Sequence, residues 1–583
     1  MAVSPSRATR SYSTEAALPA AGFGEVRLVG LMTIALVFLW KAQFVLVRYF
    51  AQDDIVNLDL ARRSGLWWHY VTLLSGGQLT PGLRVLAWVL SRASLYDWPV
   101  AAGLLVALMG CASLAAFRVL RTLLGDRPVI LVPLIVFLLS PIVMPDLGGW
   151  WAGMREVPLQ LATLLAIDAH VRYVRSGRQR ELVTAAGWLV FGLLFSAQAV
   201  FLPLLLFAIT SAFLVGAPSW RGGVALAARR FAPAWRWYGI VLVCYAVTYL
   251  SALSSAGPRT VSGPMWKLAL TGLAGGPWAW HPVGPGLLYA MAFPSAALIV
   301  AVALVVVVTV ALSVWARPVA WRAWLILGAW LFLGDPAAVL AICVGLAFFP
   351  LAGDLVPAVA WPRRALTVRS FCLVLGTLFI AGSVWSDQAY ENVTNGYPEI
   401  AAYLSNAGRA VALAEPGTNV LDLPVPAPLV SPAFGLDGYE SVVIGPLTDR
   451  LRWVERLRGT IAGLKMFGPD GRLYPTLIYG VRSPRRREPG LAACWPRLGR
   501  RVTVRFARRT GVRDRTLQLN YIWAGVPARV EVRYGSLAGW IRLVPGLHNA
   551  YLPVRGRVRS VTVYGAVSHL CVGGAEAGVP VPL

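Results

Sequence analysis

The residues whose types and spacing could do chemistry begin just behind the first long apolar run, in Phe50-Ala-Gln-Asp53-Asp54-Ile-Val-Asn-Leu-Asp59. Two adjacent carboxylates where a helix leaves a bilayer are costly to desolvate, and such residues tend to be functional. One of them can act as general base towards a hydroxyl while its neighbour raises its pKa or binds a cation. The dipeptide also suits the N-terminal cap of a surface helix starting near Ile55, so both readings stand at this point. Further on come Gly76-Gly-Gln78-Leu-Thr-Pro81-Gly-Leu-Arg84, then Pro145-Asp146-Leu-Gly-Gly-Trp150-Trp151 with Arg155-Glu156. His69, within Trp67-Trp-His-Tyr, could orient an acceptor or pack within its loop. No CxxC or His/Cys cluster has metal-ligand spacing, so a structural zinc is not expected.

The elements that must position these residues are membrane spans. The chain of 583 residues is 57% hydrophobic and only 14% charged, with a mean hydropathy of +0.63. A soluble enzyme carries about 25% charged residues. The net charge of +26 comes almost wholly from arginines interleaved with apolar runs, which does not indicate nucleic acid. The Arg, Ala, Gly and Val bias is that of a GC-rich genome. Eleven apolar stretches are long enough to be read as spans: 28–48, 98–118, 127–144, 156–172, 182–198, 200–216, 237–254, 286–312, 319–334, 337–352 and 370–386.

One set of loops, with the N-terminal tail 1–27, holds 19 arginines, and the opposite loops hold seven basic residues. The arginine-rich side is therefore expected to be cytoplasmic. A polytopic plasma-membrane protein with its C-terminal region outside follows. The membrane domain is expected at 28–386, with a long first outer loop at 49–97. In that loop the apolar stretch 83–95 holds Arg84 and Arg92, which suits a helix lying in the interface.

The region 387–583 contains no apolar run long enough to span. A helix near 397–413 and a strand at Asn419-Val-Leu-Asp-Leu mark an α/β linking region, 387–500. From 501 the pattern alternates with period two: Val502-Thr-Val-Arg-Phe, Leu517-Gln-Leu-Asn-Tyr, Val530-Glu-Val-Arg-Tyr and Val561-Thr-Val-Tyr. That reads as an antiparallel sandwich over 501–583 with the look of a carbohydrate-binding jelly roll. Cys494 and Cys571 flank this series, and an exported location predicts a disulfide between them.

The acidic pair in a long first outer loop, the polar-Pro-Leu element after it and the acidic residue of the next outer loop together resemble the GT-C superfamily. Its members are polytopic glycosyltransferases that use polyprenyl-phosphate sugars, and they include protein mannosyltransferases and arabinosyltransferases. The resemblance implies a helical membrane bundle of about 11 spans with a C-terminal β-rich extracytoplasmic domain. It implies transfer of a sugar from a polyprenyl phosphate to a cell-wall glycan or glycolipid.

By that resemblance Asp53 or Asp54 deprotonates the acceptor hydroxyl and Asp146 is the second-loop acid. A divalent cation assists in some branches of the superfamily, and one acidic pair fits either mechanism. Arg155, Arg259 and Lys267 are the candidate cations for the lipid phosphate. Trp280 and His281 are candidates for stacking on sugar, or belong to an interfacial belt. Many members of that superfamily carry His where this chain has Gln78, which donates a hydrogen bond but holds no charge. Two other classes fit the same architecture: a non-catalytic protein that binds or guides envelope polysaccharide, and a lipid or polymer transporter.

Overall fold

The computed structural model describes residues 23–217, 219–253, 280–283, 287–352, 365–484, 494–510, 516–554, 556–565 and 568–583. Helices occupy the N-terminal two thirds: α1 (Phe23–Leu46), α2 (Asp53–Arg63), α3 (Trp68–Val71), α4 (Pro81–Ala93), α5 (Trp98–Leu124), α6 (Leu131–Leu139), α7 (Trp150–Ser176) and α8 (Gln179–Phe195). They continue as α9 (Leu202–Ile209), α10 (Trp220–Arg230), α11 (Ala232–Leu253), α12 (Ala296–Ala316), α13 (Ala320–Trp330), α14 (Pro336–Phe348), α15 (Ala365–Val393) and α16 (Tyr397–Leu413).

Five described helical stretches are long and apolar enough to cross a membrane: Gly24–Leu46, Trp98–Leu124, Ala197–Leu214, Ala232–Leu253 and Ala296–Ala316. Pro128–Val143 and Pro336–Phe348 are shorter apolar helices. Each of the eleven expected stretches contains helix, but the one expected at 286–312 does not begin as helix. Within it Tyr289–Ala292 is a strand, β2, paired antiparallel with β1 (Trp280–Val283). Pro294 has no N–H to give a helix interior, and the Ser295 hydroxyl caps α12 by accepting from Leu298 N. The interface helix expected over 83–95 is α4, which starts at Pro81 and buries Leu83, Ala87 and Leu90 on one face.

The centre of the bundle is α7, packed against α5 and α8. At one end of the bundle lie the arginines of the expected cytoplasmic loops. There Asp168 takes Arg118 at 2.9 Å and Arg172 at 3.1 Å, and Asp126 takes Arg27 at 3.0 Å. The other end carries α2 to α4 and meets the C-terminal region.

That region is a two-sheet sandwich. One sheet has eight strands in the order β4 (Leu451–Val454), β3 (Thr418–Leu421), β6 (Lys465–Phe467), β7 (Leu473–Arg482), β15 (Leu570–Pro582), β10 (Thr516–Trp523), β13 (Gly546–Pro553), β5 (Gly459–Thr460). The other runs β12 (Leu537–Leu543), β11 (Ala528–Tyr534), β14 (Ser560–Tyr564), β9 (Arg501–Arg505), β8 (Arg497–Leu498). Inward residues of the two sheets, among them Val502, Val504, Val530, Val532, Leu517 and Leu519, form one apolar core. The sheet crosses the boundary expected at residue 500, because β7 pairs antiparallel with β15. Cys494 and Cys571 are disulfide-bonded, with Cα atoms 5.2 Å apart.

Candidate active site

The site is built around the start of α2. Its preceding residue, Gln52, has φ 53° and ψ −118°, a conformation a side-chain-bearing residue rarely adopts. Long-range hydrogen bonds hold it there. Gln52 N donates to Leu429 O at 2.8 Å, and Nε2 donates to the carbonyls of Ala427 (2.9 Å) and Pro428 (2.8 Å). Oε1 accepts from Ser431 N at 2.8 Å. Such a backbone costs roughly 1–3 kcal/mol and persists only where its surroundings over-determine it. Here the 427–431 segment of the C-terminal region does so.

The next two residues are treated differently. Asp54 is completely buried. Its Oδ2 accepts from Ala51 N (3.3 Å) and Trp150 N (3.1 Å), and its Oδ1 accepts from Trp151 N (2.7 Å). Trp150 and Trp151 are the first two residues of α7, whose own N-cap position is Gly149 and has no side chain to offer. Asp54 therefore caps α7 from another element, satisfying two N–H groups that a helix start leaves open. Burial and the adjacent Asp53 carboxylate raise the Asp54 pKa, while the three N–H donors pull it back down. The cap expected at this dipeptide exists, but it belongs to α7 and not to α2. Asp53 is half-buried at the same turn.

On the first turns of α7, Arg155 Nε pairs with Glu156 Oε1 at 2.7 Å. The same guanidinium interacts with the carboxylates of Asp146 and Asp53. So Asp53, from the start of α2, shares one electrostatic neighbourhood with Asp146 and Arg155 of the 145–156 stretch. Burial, then the Glu156 and Asp335 carboxylates, push Asp146 well above the usual carboxylate range, against the pull of Arg155. Asp335, just before Pro336, caps α14 by accepting from Ala337 N at 3.1 Å. Burial and Glu156 push it up to about 7. Behind this cluster Lys41 Nζ meets Asp387 at 3.2 Å, both buried.

One wall of the site is aromatic. The Arg48 guanidinium sits 5.4 Å from the ring centroids of both Tyr390 and Tyr397 and pairs with Glu391 at 2.8 Å. The Tyr397 hydroxyl reaches the carbonyls of Gly148 and Leu288, tying the start of α16 to the turn before α7.

The other candidates fall elsewhere. Gln78 follows a Gly76-Gly77 turn, both at positive φ, closed by Ser75 N to Gln78 O at 3.0 Å. Tyr249 and Tyr245 of α11 hold that turn through the carbonyls of Gly77 and Leu79. His69 is exposed beside Trp67 and Trp68, which are 77% and 68% exposed. Trp280 is buried, donates to Ser386 Oγ at 2.9 Å and packs edge-on to Tyr390, so its ring is enclosed. His281 is exposed and lies near Phe293. Arg259 and Lys267 lie outside the described residues. Among the described residues no group of three or more His, Cys, Asp or Glu is placed to hold a metal ion.

Sequence reasoning gave no role to Gln52, Glu156 or Asp335. Nothing in the sequence near Gln52 signals its role, because all its side-chain partners lie hundreds of residues away. No family model matches the chain, and no curated protein matches it. Among solved structures it is similar to the cryo-EM structure of arabinosyltransferase EmbB from Mycobacterium smegmatis. The two are 12% identical over 98% of this chain and 66% of that one, with a TM-score of 0.34. The chain thus spans about two thirds of that protein's length, and a likeness this weak carries no functional inference.

Proposed function

We propose that the protein is a membrane glycosyltransferase that moves a sugar from a polyprenyl phosphate to an extracytoplasmic glycan or glycolipid. The observation that carries this reading is the division of labour at the acidic pair. Asp54 is used up as the cap of α7, while Asp53 shares the neighbourhood of Arg155 and Asp146 at the seam with the C-terminal region.

In this reading Asp53 takes the proton of the acceptor hydroxyl as its oxygen bonds to the anomeric carbon. The bond from that carbon to the phosphate oxygen breaks, and its electron pair leaves with the polyprenyl phosphate. Arg155, with its planar fork, offsets the charge that develops there. Asp146, in the turn before α7, hydrogen-bonds substrate.

The disulfide supports an exported C-terminal region, since such bonds persist in oxidising compartments. The test is turnover by purified protein supplied with radiolabelled polyprenyl-phosphate sugars and native envelope polysaccharide. Asp53→Asn is expected to lower the rate by roughly 100-fold or more. Undiminished transfer by that variant overturns the assignment.

A further inference from the structure

A cleft of about 400 Å³ lies where the far end of α2 meets the C-terminal region, and the chemistry described above makes no use of it. Arg62 and Arg63 line it from α2, and Ser441, Thr448, Asp449 and Trp453 line it from the other side. We propose that this cleft is a remote subsite for the acceptor, holding sugar units of an oligosaccharide several residues away from the reacting hydroxyl. The proposal rests on the glycosyltransferase reading and adds to it a place and a length requirement for the acceptor.

Three features argue for a saccharide. The volume falls in the range of small-molecule sites, about 300–1,000 Å³. The lining offers donors and acceptors together: guanidiniums, two hydroxyls and a carboxylate. Sugar hydroxyls both donate and accept and so suit that mixture, whereas a phosphate or lipid headgroup would meet the Asp449 carboxylate as a like charge. Trp453 supplies an aromatic surface held in place by stacking on Phe467, at 6.3 Å between centroids.

The cations are also partly committed, which fixes their direction. Arg63 Nε is held by Asp59 at 3.0 Å, and Arg62 Nη1 donates to Ser91 O at 3.3 Å. Each keeps further N–H groups beyond those bonds.

The helix itself sets the spacing. Asp53, Val56, Leu60 and Arg63 follow at spacings of three and four and form the part-exposed face of α2, and ten residues at 1.5 Å each put Asp53 and Arg63 about 15 Å apart along its axis. A monosaccharide or disaccharide reacting at Asp53 does not reach the cleft, whereas a longer chain lying along α2 does.

The experiment uses the full chain in lipid nanodiscs. The probes are size-fractionated oligosaccharides cut from native envelope polysaccharide, a disaccharide pool and a hexasaccharide pool, with inorganic phosphate as competitor. Calorimetric binding is measured for wild type, Trp453→Ala, Arg62→Gln and Asp53→Asn. Arg62 is a surface position, so its variant keeps the test open if the Trp453 variant fails to fold. The expected result is hexasaccharide binding by wild type and Asp53→Asn alike, weakened about tenfold or more in the cleft variants. Disaccharide affinity stays unchanged in all four.

Hexasaccharide binding within about twofold of wild type in Arg62→Gln and folded Trp453→Ala overturns the subsite. Displacement of the hexasaccharide by inorganic phosphate overturns the saccharide assignment. Full turnover by Asp53→Asn would instead overturn the catalytic reading, and the binding data separate the two failures.

Discussion

The two adjacent aspartates allow stability and activity to be pulled apart by single substitutions. In Asp54→Ala the carboxylate disappears and the N–H groups of Ala51, Trp150 and Trp151 lose their acceptor inside a closed environment. A buried donor left unmade costs about 1–3 kcal/mol, and loss of a helix cap about 0.5–2 kcal/mol. With some relaxation of the α7 start, about 3–5 kcal/mol of lost stability is expected, close to that of breaking a buried charged pair. Asp54→Asn keeps one acceptor oxygen but must aim its NH2 at a donor. If it faces Trp151 N, one bond is lost and two are kept, which costs about 1–3 kcal/mol.

Asp53→Asn removes none of these three bonds, and its stability is expected within about 1 kcal/mol of wild type. Thermal unfolding in detergent, read beside turnover in the same preparation, gives both coordinates. The expected pattern is Asp54 variants that melt early yet turn over when cold, and an Asp53 variant that melts normally yet is inactive. An Asp54→Asn protein as stable as wild type and inactive, paired with an active Asp53→Asn, refutes the division of labour.

Gln52→Glu keeps the side chain's size but sets a carboxylate against the carbonyls of Ala427 and Pro428. Turnover should fall about tenfold or more with KM little changed, and wild-type kcat would show that the clamp does not position Asp53. Glu440 is buried, and burial followed by the Asp422 carboxylate pushes it up to about 9 from 4.5. A raised folded pKa means that its contribution to stability is complete below about pH 4.5 and is lost as pH climbs towards 9. Glu440→Gln should therefore raise the melting temperature at pH 8 and flatten the decline between pH 5 and 9; an unchanged slope refutes the sign. Replacing Cys494 and Cys571 by Ser opens a loop with a sequence separation of 77 and should cost about 2–4 kcal/mol in the C-terminal region. Thiol reagent that labels both cysteines in intact, unreduced protein counts against the exported location.

What the sequence disclosed and what it hid follow from how far each signal reaches. The apolar runs, the helix at Tyr397–Leu413 and the alternating strands β9, β10, β11 and β14 were legible, because periodicity is a local property. Strand β15 was not. Its Leu570-Cys-Val-Gly-Gly-Ala-Glu-Ala-Gly run has little strand propensity, and it is a strand because β10 and β7 pair with it on both edges. The acidic pair stood out in the sequence, yet the two carboxylates sit in different surroundings, and that difference is set by Trp150 and Trp151, 96 and 97 residues away from Asp54. Trp280 was legible as a tryptophan near the interface, while its enclosure by Ser386 and Tyr390 was not.

Gln52 is the limiting case: an ordinary polar residue forced into a conformation its type disfavours by carbonyls 375 and 376 positions further on. A local rule is broken there, immediately before the residue proposed to do the chemistry, and long-range contacts hold the break in place. Where local preference and native geometry disagree and the disagreement is stabilised from a distance, function is the usual reason. The 427–431 segment is therefore better regarded as part of the proposed site's framework than as a linker between two halves. Substitutions in it are expected to reach Asp53 through a single residue.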